Sequence, residues 1–142
     1  MRNQDSLDRF LEAQKTDYAA ALEEIKAGAK RSHWIWYIFP QIRGLARSSL
    51  SAYYGIRDLY EAKRYLENET LRRHLLEISE ALLSLDSSDA RAVMGAPDDE
   101  KLRSSMTLFA LADPEILVFQ KVLDKFFGGE MDQRTVEMVR AD

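Results

Sequence analysis

Two stretches of this 142-residue chain gather residue types that bind anions. In the first, no Asp or Glu occurs from Ile25 to Arg57, where the chain's average acid density would put about five or six. The same window holds Lys26, Lys30, Arg31, Arg43, Arg47 and Arg57, interleaved with Trp34, Trp36, Tyr37, Phe39, Tyr53 and Tyr54. A guanidinium is a planar fork of donors that matches phosphate or carboxylate. Aromatic faces offer stacking area to a flat ring, and a local basic field concentrates anionic ligands. His33 and Gln41 add polar groups within the window. The second stretch is Lys101-Leu102-Arg103-Ser104-Ser105-Met106-Thr107, two bases and three hydroxyls just behind a helix start expected at Pro97. Hydroxyls, bases and unpaired backbone N–H groups at such a start make an anion site.

The candidate ligand-binding set is therefore His33, Trp34, Trp36, Gln41, Arg43, Arg47, Lys101, Arg103, Ser104 and Ser105, on the expectation that the two stretches fold into one electropositive hollow. Helical spacing puts Lys101, Ser104 and Ser105 on one face, and Arg103 with Thr107 on another. They cannot all reach one ligand without a neighbouring element. Each signal also has a structural reading. Trp34-Ile35-Trp36-Tyr37-Ile38-Phe39 suits a buried segment anchoring a core, isolated arginines are commonly solvated, and serines inside a helix commonly bond back to the preceding turn.

Other chemistry is poorly supplied. The chain has no Cys, hence no disulfide, thiolate zinc site or cysteine nucleophile. It has no Walker-type phosphate loop, His-Glu-x-x-His or Gly-x-Ser-x-Gly pattern. Two histidines, His33 and His74, far apart in sequence, define no site. A lysine beside a serine at 101–105 suggests a Ser–Lys nucleophile pair, but no oxyanion hole is in view. Asp98, Asp99 and Glu100 most simply complement a helix dipole. No metal site and no cofactor is expected, and no catalytic residue is identified.

The elements that would position these residues are helical. Phe10, Leu11, Tyr18, Leu22 and Ile25 recur at helical spacing up to Gly28, with Thr16 or Asp17 available to cap a second helix inside that span. Asp58-Leu59-Tyr60-Glu61 has capping-box spacing, followed by Ala62 and Leu66. Leu71, Leu75, Ile78 and Leu82 form the clearest stripe, within a helix expected over 69–85. Asp89 caps a short turn ended by Gly95. Pro97 opens a helix with Leu102, Met106 and Phe109 inward. Asp113-Pro114-Glu115 opens another that Gly128-Gly129 stop, and Asp132 caps a last one through Val136 and Val139. No alternating strand pattern, hairpin dipeptide or repeat occurs. The expectation is an all-α, single-domain orthogonal bundle of six to seven helices spanning 1–142.

Composition agrees with that class. Apolar residues are 46%, charged residues 31%, and the net charge is −4. This is an ordinary globular balance that argues against a wholly basic nucleic-acid coat. No apolar signal core follows Met1-Arg2-Asn3-Gln4-Asp5, and the six-residue apolar run at 34–39 is far short of the ~20 needed to span a bilayer. The expectation is a soluble, cytoplasmic protein with no membrane or nucleic-acid partner, a monomer by preference.

The segments Ser32-His33-Trp34-Ile35-Trp36-Tyr37-Ile38-Phe39-Pro40-Gln41-Ile42-Arg43-Gly44-Leu45 and Asp98-Asp99-Glu100-Lys101-Leu102-Arg103-Ser104-Ser105-Met106-Thr107-Leu108-Phe109, with Phe10-Leu11-Glu12-Ala13-Gln14 before and Phe126-Phe127-Gly128-Gly129 after, resemble the domain-of-unknown-function family 1810 over almost the whole chain. Its members are small all-helical bacterial proteins often labelled "calpastatin"; no residue pattern here supports calpain inhibition. Ala46 stands where the family often has Gly after Leu45. The resemblance implies a compact helical protein and brings no activity with it. Phe10-Leu11-Glu12-Ala13-Gln14-Lys15 is also similar to a short stretch of the NADAR family, which implies Glu12 and Lys15 as polar site candidates near an N-glycosidic bond.

The functional expectation is a site for an anionic, ring-bearing metabolite such as a nucleotide or ADP-ribose-like molecule. One alternative is a module that docks an acidic protein or RNA without chemistry. The other is a hydrolase or transferase acting on an N-glycosidic bond, with Glu12 or His33 carrying the proton.

Overall fold

The computed structural model describes residues 2–141, with side chains from 7 to 140; the side chains of the Met1–Asp5 stretch lie outside it. The helices in order are α1 (Arg2–Lys26), α2 (Ile35–Ile38), α3 (Ser49–Tyr54), α4 (Leu59–Glu67), α5 (Glu69–Leu83), α6 (Ala90–Met94), α7 (Asp98–Ala112), α8 (Val118–Phe127) and α9 (Gln133–Ala141). Among the described residues there is no strand, only an isolated parallel bridge between Ile42 and Ile56. The all-α class stands. The helices beyond the six or seven expected are α2 and α3, of four and six residues, inside the acid-poor window.

Most element starts follow local chemistry. The Asp58 carboxylate accepts from the Glu61 N–H at 2.9 Å and caps α4, while Glu61 Oε1 reaches one residue past the cap to accept from the Arg57 N–H at 2.8 Å. Asn68 and Asp89 cap α5 and α6 in the same way. Leu71, Leu75, Ile78 and Leu82 are all buried, each contributing about 1.5–3 kcal/mol relative to an exposed side chain.

Two boundaries differ from expectation. Helix α1 runs unbroken through Thr16 and Asp17, because the Asp17 carboxylate accepts from the Tyr37 hydroxyl rather than turning back to cap. Helix α8 begins at Val118, not at Pro114. Asp113 Oδ1 accepts from the Glu115 N–H in a turn of its own, and Leu117 is left outside, 61% exposed.

Helix α7 is the axis of the molecule. Nine of its 15 residues are buried, and it packs against α2, α4, α6, α8 and α9. Helix α1 lies against α5 and α2. Between α1 and α5 runs a polar seam. Gln14 Nε2 donates to the Tyr37 carbonyl (2.8 Å) and the Tyr65 hydroxyl (2.9 Å), and its Oε1 accepts from His74 Nδ1 (2.8 Å). That last bond fixes a neutral His74 as the Nδ1–H tautomer. The His74 ring stacks on Tyr18 at 3.7 Å, and the Tyr18 hydroxyl donates to Glu77 Oε1 at 2.6 Å. Burial pushes the Tyr18 and Tyr65 phenols up and the His74 imidazole down.

The acid-poor window is held by an acid just before it. Glu24 accepts from the Arg31 and Ser32 N–H groups, the Ser32 hydroxyl and the Trp34 indole N–H at 2.6–3.0 Å. Burial opposes its ionisation, but the hydrogen bonds from Ser32, Arg31 and Trp34 prevail and hold the carboxyl at about 2. Farther on, Arg43 N–H donates to the Ile56 carbonyl and Ile56 N–H to the Gln41 carbonyl. Gly55 permits this close approach, since a Cβ there would meet the Arg43 Cβ at 2.7 Å.

Candidate functional site

The acid-poor window and the lysine–serine stretch meet through α7. Lys30 Nζ pairs with Asp98 Oδ2 at 2.8 Å, and Lys101 Nζ pairs with Asp98 Oδ1 at 3.2 Å. The Lys101 ammonium also sits 4.2 Å above the Trp36 ring, a cation–π contact that ties α7 to α2. The first turn of α7 is thus clamped against residues 30–36.

Beside this clamp lies an open cleft of about 220 Å³, lined by Gln41, Leu45, Ala46, Pro97, Glu100, Lys101, Ser104, Asp132 and Arg134. Three chain segments build it. Leu45, Ala46 and Pro97 make an apolar wall; Lys101 and Arg134 bring positive charge and Glu100 and Asp132 negative charge, so the lining is of mixed sign and not the electropositive hollow expected. Its floor is set by Asp132, whose Oδ2 accepts from Thr135 N–H (3.1 Å) and Thr135 Oγ1 (2.5 Å) and shares the Ser104 hydroxyl (3.2 Å) with the Glu100 carbonyl (3.1 Å). The Asp132 N–H donates to Thr107 Oγ1, which itself donates to the Arg103 carbonyl. These bonds occupy one carboxylate oxygen of Asp132 and fasten α9 to α7. Gln41 is 93% buried, and its Nε2 has no hydrogen-bond partner within the protein. The same glutamine also lines a cavity of about 10 Å³ with Trp36, Ser51 and Tyr54, the space of one water.

The ten candidates divide accordingly. Gln41, Lys101 and Ser104 line the cleft, and Trp36 lies under Lys101. Trp34 is an internal ring, 1% exposed, with its N–H bound to Glu24. Ser105 is fully buried and faces the core. Arg103 turns the other way, to Glu100 at 2.7 Å and Glu130 at 3.8 Å, with its guanidinium over Phe127. His33, Arg43 and Arg47 are exposed and do not line the cleft. Glu12 and Lys15 are exposed on α1 and do not line it either.

Sequence reasoning missed Leu45, Ala46, Pro97, Glu100, Asp132 and Arg134 as lining. Asp132 was legible only as a helix cap, and nothing local announces that its helix lies across α7. Among the described residues no group of three or more acids and histidines is placed to hold a metal, and no helix is long and apolar enough to cross a membrane.

The model of the family described as "Protein of unknown function (DUF1810)" matches residues 4–139. The chain belongs to the DUF1810 family. A crystal structure of the conserved hypothetical protein Rv1873 from Mycobacterium tuberculosis is 42% identical, with a TM-score of 0.92 over 94% of this chain and 96% of that one. No curated protein matches the chain. The family resemblance seen in the two long segments therefore holds for nearly the full length. The DUF1810 family brings the fold, and its description assigns no activity.

Proposed function

We propose that this DUF1810 protein binds a small anionic metabolite in the cleft between residues 41–46, the first turns of α7 and the start of α9. The observation that carries the reading is that Lys101 and Arg134 line the same cleft as Gln41, whose amide nitrogen is closed to solvent and has no protein acceptor. A phosphate or carboxylate would take Lys101 and Arg134, turned away from the Glu100 and Asp132 carboxylates; a rotation of Gln41 would bring its amide nitrogen to an acceptor atom, and a flat ring would lie on Leu45, Ala46 and Pro97. Trp36 does not line the cleft, and Lys101 covers one face of its ring, so it is assigned no stacking role. The cleft is smaller than the ~300–1,000 Å³ of typical ligand pockets. That favours a mononucleotide-sized ligand, or the phosphate-bearing end of a larger one, over an enclosed ADP-ribose.

The reading is one of binding. Glu12 and His33, the proton carriers a glycosidic reaction would need, lie outside the cleft lining, so the N-glycosidic alternative gains no support from the geometry.

The test is thermal denaturation against nucleoside monophosphates, sugar phosphates and ADP-ribose. At 100 times Kd a bound ligand stabilises by about 2.7 kcal/mol, several degrees at this size. The shift should vanish in Lys101→Ala and Arg134→Ala. Absence of any shift across the panel overturns the reading, as does a shift that survives both substitutions.

A further inference from the structure

Residues 43–53 run from the rim of the cleft, which Leu45 and Ala46 line, to helix α3, and Arg43, Arg47, Leu50 and Tyr53 lie outside the cleft lining. Apart from Leu45 and Ser51 the run is exposed throughout, and it contains no acid. Arg43 and Arg47 make no ion pair among the described residues. Helix α3 has two apolar faces. Tyr54 turns inward, packing against Phe10 and Tyr37 with ring centroids 6.0 and 5.0 Å apart. Leu50 and Tyr53, three residues apart and so on one side of the helix, are 51% and 58% exposed.

The outward face is rigidly mounted. Arg9, itself buried, donates Nε to the Tyr53 carbonyl at 2.6 Å and Nη2 to the Gly55 carbonyl at 2.9 Å. The Ser48 hydroxyl accepts from the Ser51 N–H to start the helix, and the bridge between Ile42 and Ile56 closes the loop at its base. A pre-formed loop loses little freedom on binding. Arginine and tyrosine are the residue types enriched at the energetic centres of protein interfaces.

From unpaired arginines and an outward Leu–Tyr face within one exposed, acid-free run, we infer that residues 43–53 dock an acidic segment of another protein. Partner carboxylates pair with Arg43 and Arg47, and an apolar partner side chain lies on Leu50 and Tyr53. Charge complementarity selects a peptide over a nucleic acid. Two unpaired cations neutralise only about two phosphates, too few to hold a nucleic acid, and Leu50, 51% exposed beside Tyr53, adds aliphatic surface that suits a peptide side chain.

The experiment is a random-peptide display selection on the full chain, counter-selected on an Arg43→Glu, Arg47→Glu variant. Wild type should enrich peptides rich in Asp and Glu with interspersed apolar residues. The enriched peptides should bind the variant at least tenfold more weakly, with its melting temperature retained. Leu50→Ser and Tyr53→Ala, made separately, should each weaken the same peptides severalfold, which keeps the test open if the double variant folds poorly. Lys101→Ala should leave peptide binding unchanged. The inference is overturned if no sequences enrich, if they lack an acidic bias, if Lys101→Ala abolishes binding, or if oligouridylate binds this face more tightly than the selected peptides do.

Discussion

Two buried glutamines show the difference between a polar group used for architecture and one left for something else. Gln14, in the seam between α1 and α5, is 98% buried; its nitrogen donates to Tyr37 and Tyr65 and its oxygen accepts from His74. Gln41, at the cleft, is almost as buried, yet its nitrogen finds no protein acceptor. A buried donor without an acceptor costs about 1–3 kcal/mol. Folding alone would favour an apolar side chain at position 41, whereas at position 14 the glutamine joins three elements. The seam is a closed hydrogen-bond network, and the cleft is an open one.

The sharpest test of that contrast is a pair of matched substitutions. Gln14→Leu strands the His74 N–H, the Tyr65 hydroxyl and the Tyr37 carbonyl, and should cost about 3 kcal/mol in urea denaturation. Gln41→Leu should stay within about 1 kcal/mol of wild type and still lose the ligand-induced thermal shift. Equal destabilisation by the two would erase the distinction.

Glu24→Gln comes next, at about 2 kcal/mol, because it weakens charge-assisted bonds to the segment that carries Trp34. The folded carboxyl sits at about 2 against an ordinary 4.5. Its contribution is therefore complete above pH 4.5 and lost as pH falls towards 2. Wild type should show that acid-side loss, and Glu24→Gln should lack it.

His74 gives a smaller pH effect in a different window. Burial, then the Arg73 charge, lowers its pKa from 6.5, with Glu77 opposing. The unfolded chain thus binds the proton more readily, and stability should decline as pH drops below about 6.5. His74→Gln should flatten that slope between pH 7 and 5 in pH-dependent denaturation curves. The smallest effect is expected at Ser105, fully buried with its Oγ unpartnered. Ser105→Ala should leave stability within about 0.5 kcal/mol or raise it slightly, and should leave ligand binding untouched.

The parts of the fold legible in sequence were those set by nearest neighbours along the chain. The Leu71–Leu82 stripe, the caps at Asp58, Asp89 and Asp132, and the glycine stop at Gly128, whose φ is +63°, all depend on spacings within one or two turns. Where a capping side chain took a partner other than the helix start expected of it, local reasoning failed. Asp17 binds Tyr37 instead of breaking α1, and Asp113 closes its own turn ahead of α8. The candidate site followed the same rule. Lys101 and Ser104 were legible as a helical face, but Arg103, two residues on, points to Glu130, and Ser105 into the core.

The sequence by itself determined the all-helical class, the family, and the unusual charge of residues 25–57, because composition, periodicity and capping act through the backbone over a few residues. Only the tertiary structure decided that Lys101 would rest on Trp36 and that Asp132 and Arg134 would close the cleft over Gln41. It also left Arg43 and Arg47 exposed outside the cleft lining. Those outcomes depend on how helices cross, and crossing is set by side chains far apart in the chain that meet only when the core packs.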